Sequence, residues 1–125
     1  MPKSGVYLFS ENGAPLYVGR SNRLGLRRRI SAHCRPAANH KGAAFAFKIA
    51  RRETGNENAS YRADAKSRKG LMQDPTFRAA FERARDRIQK MDVRFVEVTD
   101  PTVQALFEMY VAISLATPYN DFNTY

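Results

Sequence analysis

Two short apolar segments near the start of the chain are separated by a turn signal. Residues 5–9 (GVYLF) and 16–19 (LYVG) are rich in β-branched and aromatic side chains, which favour β-strands. Asn12-Gly13 lies between them, and this dipeptide is the strongest short-range signal for a β-hairpin. The segment therefore predicts two antiparallel strands joined by a tight turn.

The length of the hairpin loop decides which side chains share a face of the sheet. A two-residue loop at Asn12-Gly13 would pair Leu8 with Tyr17 and would put the two tyrosines on opposite faces. A three-residue loop over residues 11–13, with Gly13 left-handed, pairs Tyr7 with Tyr17 instead. Only the longer loop groups both tyrosines on one face and the aliphatic side chains on the other (Val6, Leu8, Leu16 and Val18). We therefore predict the three-residue loop, with the tyrosine face left open beside Gly5 and Gly19.

Helical spacing and capping signals predict four helices after the hairpin. The first runs from a cap at Ser21 or Asn22 to about His33 and buries a stripe of residues four apart, Leu26, Ile30 and Cys34. The second covers about residues 43–52. The Asp-Pro pairs at 74–75 and 100–101 each place an N-cap before a proline in the first helical turn, so they begin the third and fourth helices.

The remaining strand signal completes an α+β fold. Residues 91–98 (MDVRFVEV) leave no clean polar face, which predicts a third strand that lies inside the sheet or against helices. We predict a small, mainly antiparallel three-stranded sheet flanked by helices. Residues 1–125 would form one domain, with 35–91 as a helical and loop insertion between the first helix and the third strand.

The charge of the chain favours a polyanionic partner. It has 21 Lys and Arg against 12 Asp and Glu, a formal net charge of +9, and an isoelectric point near 10.1. Residues 20–35 hold six arginines and no acid, which is unusual for a merely solubilising surface. The second basic stretch lies in residues 54–70, which read either as a nucleic-acid clamp or as a solvated linker. The predicted nucleic-acid contacts are Arg20, Arg23, Arg27, Arg28, Lys66, Arg68 and Lys69.

Nothing in the sequence indicates a membrane or an oxidising compartment. No apolar run approaches the length of a membrane span, and residues 1–20 lack the apolar middle of a signal peptide. Cys34 is the only cysteine, so no internal disulfide or cysteine-based metal site can form. We therefore expect a cytoplasmic protein.

Glu108 is the only charge in the apolar segment from Val103 to Thr117. A carboxylate in such a helix is costly unless it is paired or binds a metal ion. The alternative is an exposed edge of the helix, because Gln104, Glu108 and Ala112 are spaced four apart. The residues alone favour neither interpretation.

Several of these residues together resemble the GIY-YIG nuclease family. Gly5-Val6-Tyr7 and Tyr17-Val18-Gly19 are similar to the paired signature of that family, with valine as a common variant in the middle position. The resemblance continues with Arg29 and His33, four residues apart, and then with Glu108 and Asn120. It covers roughly the first quarter and the last fifth of the chain.

The resemblance implies a metal-dependent endonuclease that acts on duplex or branched DNA. It implies one divalent ion, Mg²⁺ or Mn²⁺, on Glu108, with Arg29 on the scissile phosphate and the first tyrosine as general base. Tyr17 would hold the water or the phosphate, and His33 would orient a phosphate oxygen or relay a proton. Structural support would come from Gly5, Gly19 and Asn120.

Three alternatives stay open. Either tyrosine could be the base, and Arg27 could replace Arg29, because the segment before the arginines is two residues longer than the family pattern. A non-cleaving nucleic-acid-binding module on the same fold is the alternative function, although it has no use for Glu108. The oligomeric state is open as well.

Overall fold

The computed structural model describes residues 1–22, 25–35, 42–56 and 68–120. These residues form an α+β fold with one three-stranded antiparallel sheet and flanking helices, as predicted. The elements in chain order are β1 (Gly5–Glu11), β2 (Ala14–Ser21), α1 (Leu26–Ala32), α2 (Ala44–Glu53), α3 (Arg68–Gln73), α4 (Pro75–Gln89), β3 (Asp92–Glu97) and α5 (Pro101–Ser114).

The chain divides into two compact units. One contains Met1–Ser31 and Lys90–Tyr125, and thus the sheet with α1 and α5. The other contains Ala32–Gln89, and thus α2, α3 and α4. The second unit covers nearly the same residues as the insertion predicted at 35–91.

The hairpin turn is shorter than predicted. Glu11 pairs with Ala14, so the loop is the two residues Asn12 and Gly13. Their φ angles of 53° and 82° are those of a type I′ turn. The register then shifts between Phe9 and Ser10, so that one extra residue lies in β2.

This shift sets the pairing of the tyrosines. Tyr7 pairs with Gly19, and Phe9 pairs with Tyr17, so the predicted pair of Tyr7 with Tyr17 is wrong. The two tyrosines nevertheless share a face, because residues that pair directly lie on the same side of a sheet. A two-residue loop without a bulge would have put the two tyrosines on opposite faces. The extra residue in β2 puts both on the same face.

The opposite face of the sheet packs against α5. Val6 and Val18 are buried with Ala112 in one cluster, and the half-buried side chains around it are Leu8, Val98, Phe107 and Val111. The aliphatic face predicted for the hairpin is therefore the core of this unit. The expectation that Leu16 belongs to it does not hold, because Leu16 falls at the bulge.

The third strand is an exposed edge strand, which corrects the prediction that it lies inside the sheet or against helices. The strand order is β2-β1-β3, so β1 is central. Most of β3 is exposed, including Phe95 at 43% and Val96 at 52%. The same strand carries Asp92, Arg94 and Glu97, and charges of this kind protect an open edge from pairing.

The first helix begins later than predicted. Ser21 is the last residue of β2, so it does not cap the helix. The carbonyl of Asn22, the other predicted cap, accepts a hydrogen bond from the Ser4 hydroxyl. Gly25 has φ +87°, a conformation that favours glycine, and α1 starts at the next residue. The Asp-Pro cap signals predicted for α4 and α5 are correct. Asp100 accepts hydrogen bonds from the amides of Thr102 and Val103, and Asp74 accepts one from Thr76.

The helical unit has its own aromatic core. Phe47 of α2 and Phe77 of α4 pack with their ring centroids 5.2 Å apart. The other fully buried large side chains of this unit include Phe45, Phe81 and Ile88. The short α3 begins inside the segment interpreted from sequence as a clamp or linker, and it packs on α4.

Candidate active site and nucleic-acid interface

Both tyrosines of the hairpin are buried. Tyr7 is 1% exposed and Tyr17 is 9% exposed, so the expectation of an open tyrosine face is wrong. Phe9 contributes to this burial, because its ring meets the Tyr7 ring edge-on with the centroids 5.8 Å apart. The phenols therefore lie in an enclosed setting, where electrostatic interactions are stronger than in water.

Two glycines permit this close packing. A Cβ atom on Gly19 would overlap the Cζ and Oη atoms of Tyr7, so the phenol lies directly on the backbone of β2. A Cβ on Gly5 would overlap the carbonyl oxygen of Val96 and would come within 3.1 Å of Leu26 Cδ1. Gly5 and Gly19 therefore allow a close approach of neighbouring atoms that any other residue would block, and their supporting role in a nuclease site stays a prediction.

Arg29 reaches the phenol from α1. Its guanidinium donates a hydrogen bond to the Tyr7 hydroxyl. Leu26 lies three residues before Arg29 and is fully buried, so it fixes which side of α1 faces the sheet unit's interior. Arg27 and Arg28 lie on the exposed side of the same helix. The geometry therefore favours Arg29 over Arg27 as the arginine of the site.

Glu108 is directed to the sheet side of α5. Gln104, one turn earlier, is fully buried, and its amide nitrogen donates to the carbonyl oxygens of Val98 and Ser21. Ala112, one turn later, is buried in the core. The interpretation of this edge as solvent-exposed is therefore wrong, and Glu108 itself is half-buried. Sequence reasoning missed Gln104, whose spacing of four from Glu108 was the available signal.

The pKa of Tyr7 reports the charges that surround it. Burial raises this pKa well above its ordinary range, and the Tyr17 hydroxyl and the Glu108 carboxylate raise it further. Arg29 acts in the opposite direction through its charge and its hydrogen bond. Burial outweighs the arginine, so Tyr7 holds its proton at neutral pH. Three predicted site residues from β2, α1 and α5 thus act on the Tyr7 phenol of β1: Tyr17, Arg29 and Glu108.

Asn120 fastens the C-terminal segment to the outer edge of β2. Its side chain accepts a hydrogen bond from the Val18 amide at 2.8 Å and donates one to the Val18 carbonyl at 2.9 Å. The Thr117 hydroxyl donates to the same Asn120 oxygen at 2.8 Å, and the Tyr119 amide donates to the carbonyl of Leu16. Asn120 therefore pairs with the backbone of β2 next to Tyr17, as a neighbouring strand would, and its role as support for a nuclease site stays a prediction.

His33 stays a prediction. It follows directly after α1, it is fully buried, and it belongs to the helical unit, whereas the other site residues belong to the sheet unit.

The donor set fits a hard divalent cation only in part. Within residues 1–22, 25–35, 42–56 and 68–120, no group of three or more His, Cys, Asp or Glu side chains could hold a metal ion. Mg²⁺, however, is commonly bound by one or two carboxylates and completes its coordination with water and phosphate oxygens. Glu108, half-buried beside a buried phenol, is the carboxylate that suits this mode of binding.

The described residues among the predicted nucleic-acid contacts divide into three groups. Arg27 and Arg28, with Lys3 and Ser31, line an open depression of about 490 Å³ beside α1. Arg20 is exposed and donates a hydrogen bond to the Pro101 carbonyl at 3.2 Å, so it contacts the start of α5. Lys69 is exposed on α3 of the helical unit. Arg23 and Lys66 lie outside the described residues, and Arg68 lies outside the described side chains.

Comparisons of the chain with protein-family models, with curated proteins and with solved structures find no match. Among the described helices, none has the length and apolar character needed to cross a membrane.

Proposed function

We propose that the chain is a metal-dependent endonuclease of the GIY-YIG type that hydrolyses phosphodiester bonds in duplex or branched DNA. The observation that carries the proposal is the hydrogen bond from Arg29 to Tyr7, together with the Glu108 charge, which raises the pKa of the same phenol. A cation, two phenols and a carboxylate from four separate elements meet there, in the order along the chain that the family signature has.

Each group has a chemical role in phosphodiester hydrolysis. The Arg29 guanidinium offers forked donors to the charge that develops on the scissile phosphate. Glu108 would hold Mg²⁺ or Mn²⁺, which supplies Lewis-acid stabilisation when bound. Tyr7, buried and protonated at neutral pH, would position the guanidinium through the hydrogen bond that its hydroxyl accepts from Arg29. The general base is therefore either Tyr17 or a Tyr7 whose pKa is lower when DNA and metal are bound.

The surface beside the site suits the same substrate. Arg27, Arg28 and Lys3 would bind the phosphate backbone without reading sequence, which is the usual role of exposed basic side chains. The cytoplasmic location is part of the same proposal, and its support is the single cysteine, which leaves no internal disulfide to form.

The competing function is a non-cleaving DNA-binding module. Glu108 counts against it, because a carboxylate beside the site repels phosphate unless a cation intervenes. Glu108→Gln therefore separates the two functions, since it removes the charge and keeps the shape.

The experiment compares Glu108→Gln with Glu97→Gln, which makes the same chemical change on exposed β3. Plasmid, branched and single-stranded DNA are incubated with Mg²⁺, with Mn²⁺ and with EDTA. We expect cleavage by the parent and by Glu97→Gln, and none by Glu108→Gln, which should bind DNA as well as the parent or slightly better. Parental cleavage by Glu108→Gln would remove Glu108 from the site. DNA binding with no cleavage by any of the three proteins would favour the non-cleaving module.

A further inference from the structure

Most of the excess positive charge belongs to the helical unit. Within residues 32–89 the sequence has 13 Lys and Arg against 6 Asp and Glu, a net charge of +7. The sheet unit has 8 against 6, a net charge of +2. Even if every acid of the helical unit were paired with a base of the same unit, seven cations would be left. A surplus of this size favours a polyanionic partner.

The unit that carries this charge is closed on itself. It is one continuous stretch, Ala32–Gln89, and the side-chain amide of Gln89 donates a hydrogen bond to the carbonyl of Cys34 at 2.7 Å, so its two ends meet. It also has a core of its own, which includes the packed rings of Phe47 and Phe77. The cations of α2, α3 and α4 are therefore presented by packed helices and not by a charged tail.

The densest group of described cations in this unit lies on α2. The buried positions of this helix are Phe45, Ala46, Phe47, Ile49 and Ala50. Lys48, Arg51 and Arg52 lie on the side turned away from them, and the spacing of four puts Lys48 and Arg52 next to each other. The only acid of α2, Glu53, is directed to α4, where its Oε1 lies 3.8 Å from Arg83 Nη2. Lys48, Arg51 and Arg52 thus form a basic face of α2.

Stabilisation of the helix end explains only part of this basic face. Arg51 and Arg52 lie in the last turn of α2, where positive charge offsets the helix dipole. Lys48 lies before that turn, so the dipole gives no reason for its charge. Arg51 is also held in place, because its Nε donates to the carbonyl of Asn56 at 3.0 Å and its guanidinium lies 6.0 Å from the centroid of the Phe47 ring. A cation that is already oriented loses less entropy when it meets a phosphate.

The character of the surface favours nucleic acid over an acidic protein. Protein interfaces generally have aromatic or other apolar anchors at their centre. Among the described residues, every exposed large apolar side chain lies in the sheet unit, and none lies in residues 32–35, 42–56 or 68–89. Nine of the 13 basic residues of the helical unit are arginines, whose forked donors suit phosphate oxygens. Charge without apolar anchors is the complement of a phosphate backbone.

We propose that the helical unit docks on the phosphate backbone of DNA through the basic face of α2. The helical unit binds DNA, and the sheet unit carries the candidate residues for cleavage. The choice of DNA rests on the proposed function, whereas docking itself needs no cleavage. None of the nucleic-acid contacts predicted from the sequence lies on α2, so this basic face is an addition to them.

Equilibrium binding of a fluorescently labelled DNA duplex of mixed sequence, measured by anisotropy in EDTA, tests the docking face with the full chain. The α2 pair variant combines Lys48→Gln with Arg52→Gln. The control pair combines Lys90→Gln with Arg94→Gln, the same two changes at exposed positions of the sheet unit.

The two pairs should behave differently. At about 0.1 M salt, the α2 pair should bind roughly tenfold or more weakly than the parent. Its plot of the logarithm of the binding constant against that of the salt concentration should be shallower by roughly two units, one for each lost phosphate contact. The control pair should stay within about threefold of the parent, because cations that meet no phosphate release no counterions. Parental affinity of the α2 pair, or an equal loss in the control pair, would overturn the proposal.

Two further variants separate charge from folding. Lys48→Arg combined with Arg52→Lys exchanges the two residues and conserves both charges, so it should bind DNA like the parent. Circular dichroism should show parental helix content for all variants, because Gln, Lys and Arg are good helix formers. If the α2 pair has less helix, Arg52→Gln alone, at an exposed position, should still lose roughly one unit of slope. Tighter binding of poly-L-glutamate than of DNA by the parent would overturn the choice of partner and favour an acidic protein.

Cleavage is measured separately, in single turnover with Mg²⁺ and saturating protein. Once the DNA is fully bound, the α2 pair should cleave at the parental rate, because α2 contributes no residue to the candidate site. A parent that does not cleave but loses affinity in the α2 pair would refute the proposed nuclease and support the docking face. Cleavage by the parent together with unchanged binding by the α2 pair would do the reverse.

Discussion

The contact between Tyr7 and Gly19 makes a quantitative prediction about the hairpin. Gly19→Ala adds one methyl group at a point where the Cβ would overlap the Cζ and Oη atoms of Tyr7. Tyr7 cannot easily yield, because its ring is 1% exposed and lies against Phe9. The backbone of β2 is held as well, since Val18 is fixed by Asn120 on one side and by Leu8 on the other. The added methyl group must therefore strain the site.

The expected decrease in the free energy of unfolding is about 1–3 kcal/mol, the usual cost of an extra methyl group in a closely packed interior. The melting temperature should fall by roughly 4 °C for each kcal/mol in a domain of this size. Urea unfolding followed by circular dichroism measures the first quantity and thermal unfolding the second. Gly42→Ala is the matched control. Its nearest neighbours are atoms of Ala32 at 3.9 Å, so it should be neutral or slightly stabilising.

A double-mutant cycle assigns the strain to the proposed contact. Leucine at position 7 lacks the Tyr7 atoms that the new Cβ would meet, which are Cζ, Oη and Cε2. In a Tyr7→Leu background, Gly19→Ala should therefore cost no more than a few tenths of a kcal/mol. An equal cost in both backgrounds would mean that the alanine disturbs the strand for another reason. A parental stability for Gly19→Ala would refute the packing of the phenol on β2.

Two other predictions concern residues around the site. Asn120→Ala leaves the Val18 amide and carbonyl without their side-chain partners. The free energy of unfolding, measured in urea, should therefore fall by about 2–3 kcal/mol. An unchanged stability would show that these hydrogen bonds do not hold the C-terminal segment on β2. Reversing the charges of Arg27 and Arg28 should weaken binding to all DNA sequences alike. In a plot of the logarithm of the binding constant against that of the salt concentration, the slope should become shallower by roughly one unit for each phosphate that the variant no longer neutralises. An unchanged slope in binding titrations from low to high salt would show that these arginines do not meet DNA.

The sequence was informative where local chemistry decides the structure. The alternation of Val6, Leu8 and Val18 correctly predicted the buried face of the hairpin, because strand side chains alternate with a period of two. The Asp-Pro signal at residues 100–101 correctly predicted the start of α5, because the cap and the proline act within one turn. The spacing of Arg29 also led to the arginine that contacts Tyr7, since helix geometry fixes which side chains share a face.

The errors arose where distant parts of the chain decide the structure. The register of the hairpin depends on a bulge, and no local pattern distinguishes one extra residue in β2 from a longer loop. The exposure of β3 depends on the strand order, which puts β1 in the centre. The burial of Gln104 depends on the carbonyls of Ser21 and Val98, which come together only in the folded sheet. Such partners are invisible in a pattern of polar and apolar positions.

The most direct test of the proposed nuclease site is single-turnover hydrolysis of plasmid DNA by three arginine-to-lysine variants. Lysine conserves the charge but lacks the forked donor. With Mg²⁺, Arg29→Lys should cleave roughly 10²–10³ times more slowly than the parent, the usual cost of one transition-state donor. Arg27→Lys and Arg28→Lys should stay within a few-fold of the parental rate, because their side chains are exposed beside the site. EDTA should stop all four proteins. Equal rates for Arg29→Lys and the parent, or cleavage that persists in EDTA, would contradict the account.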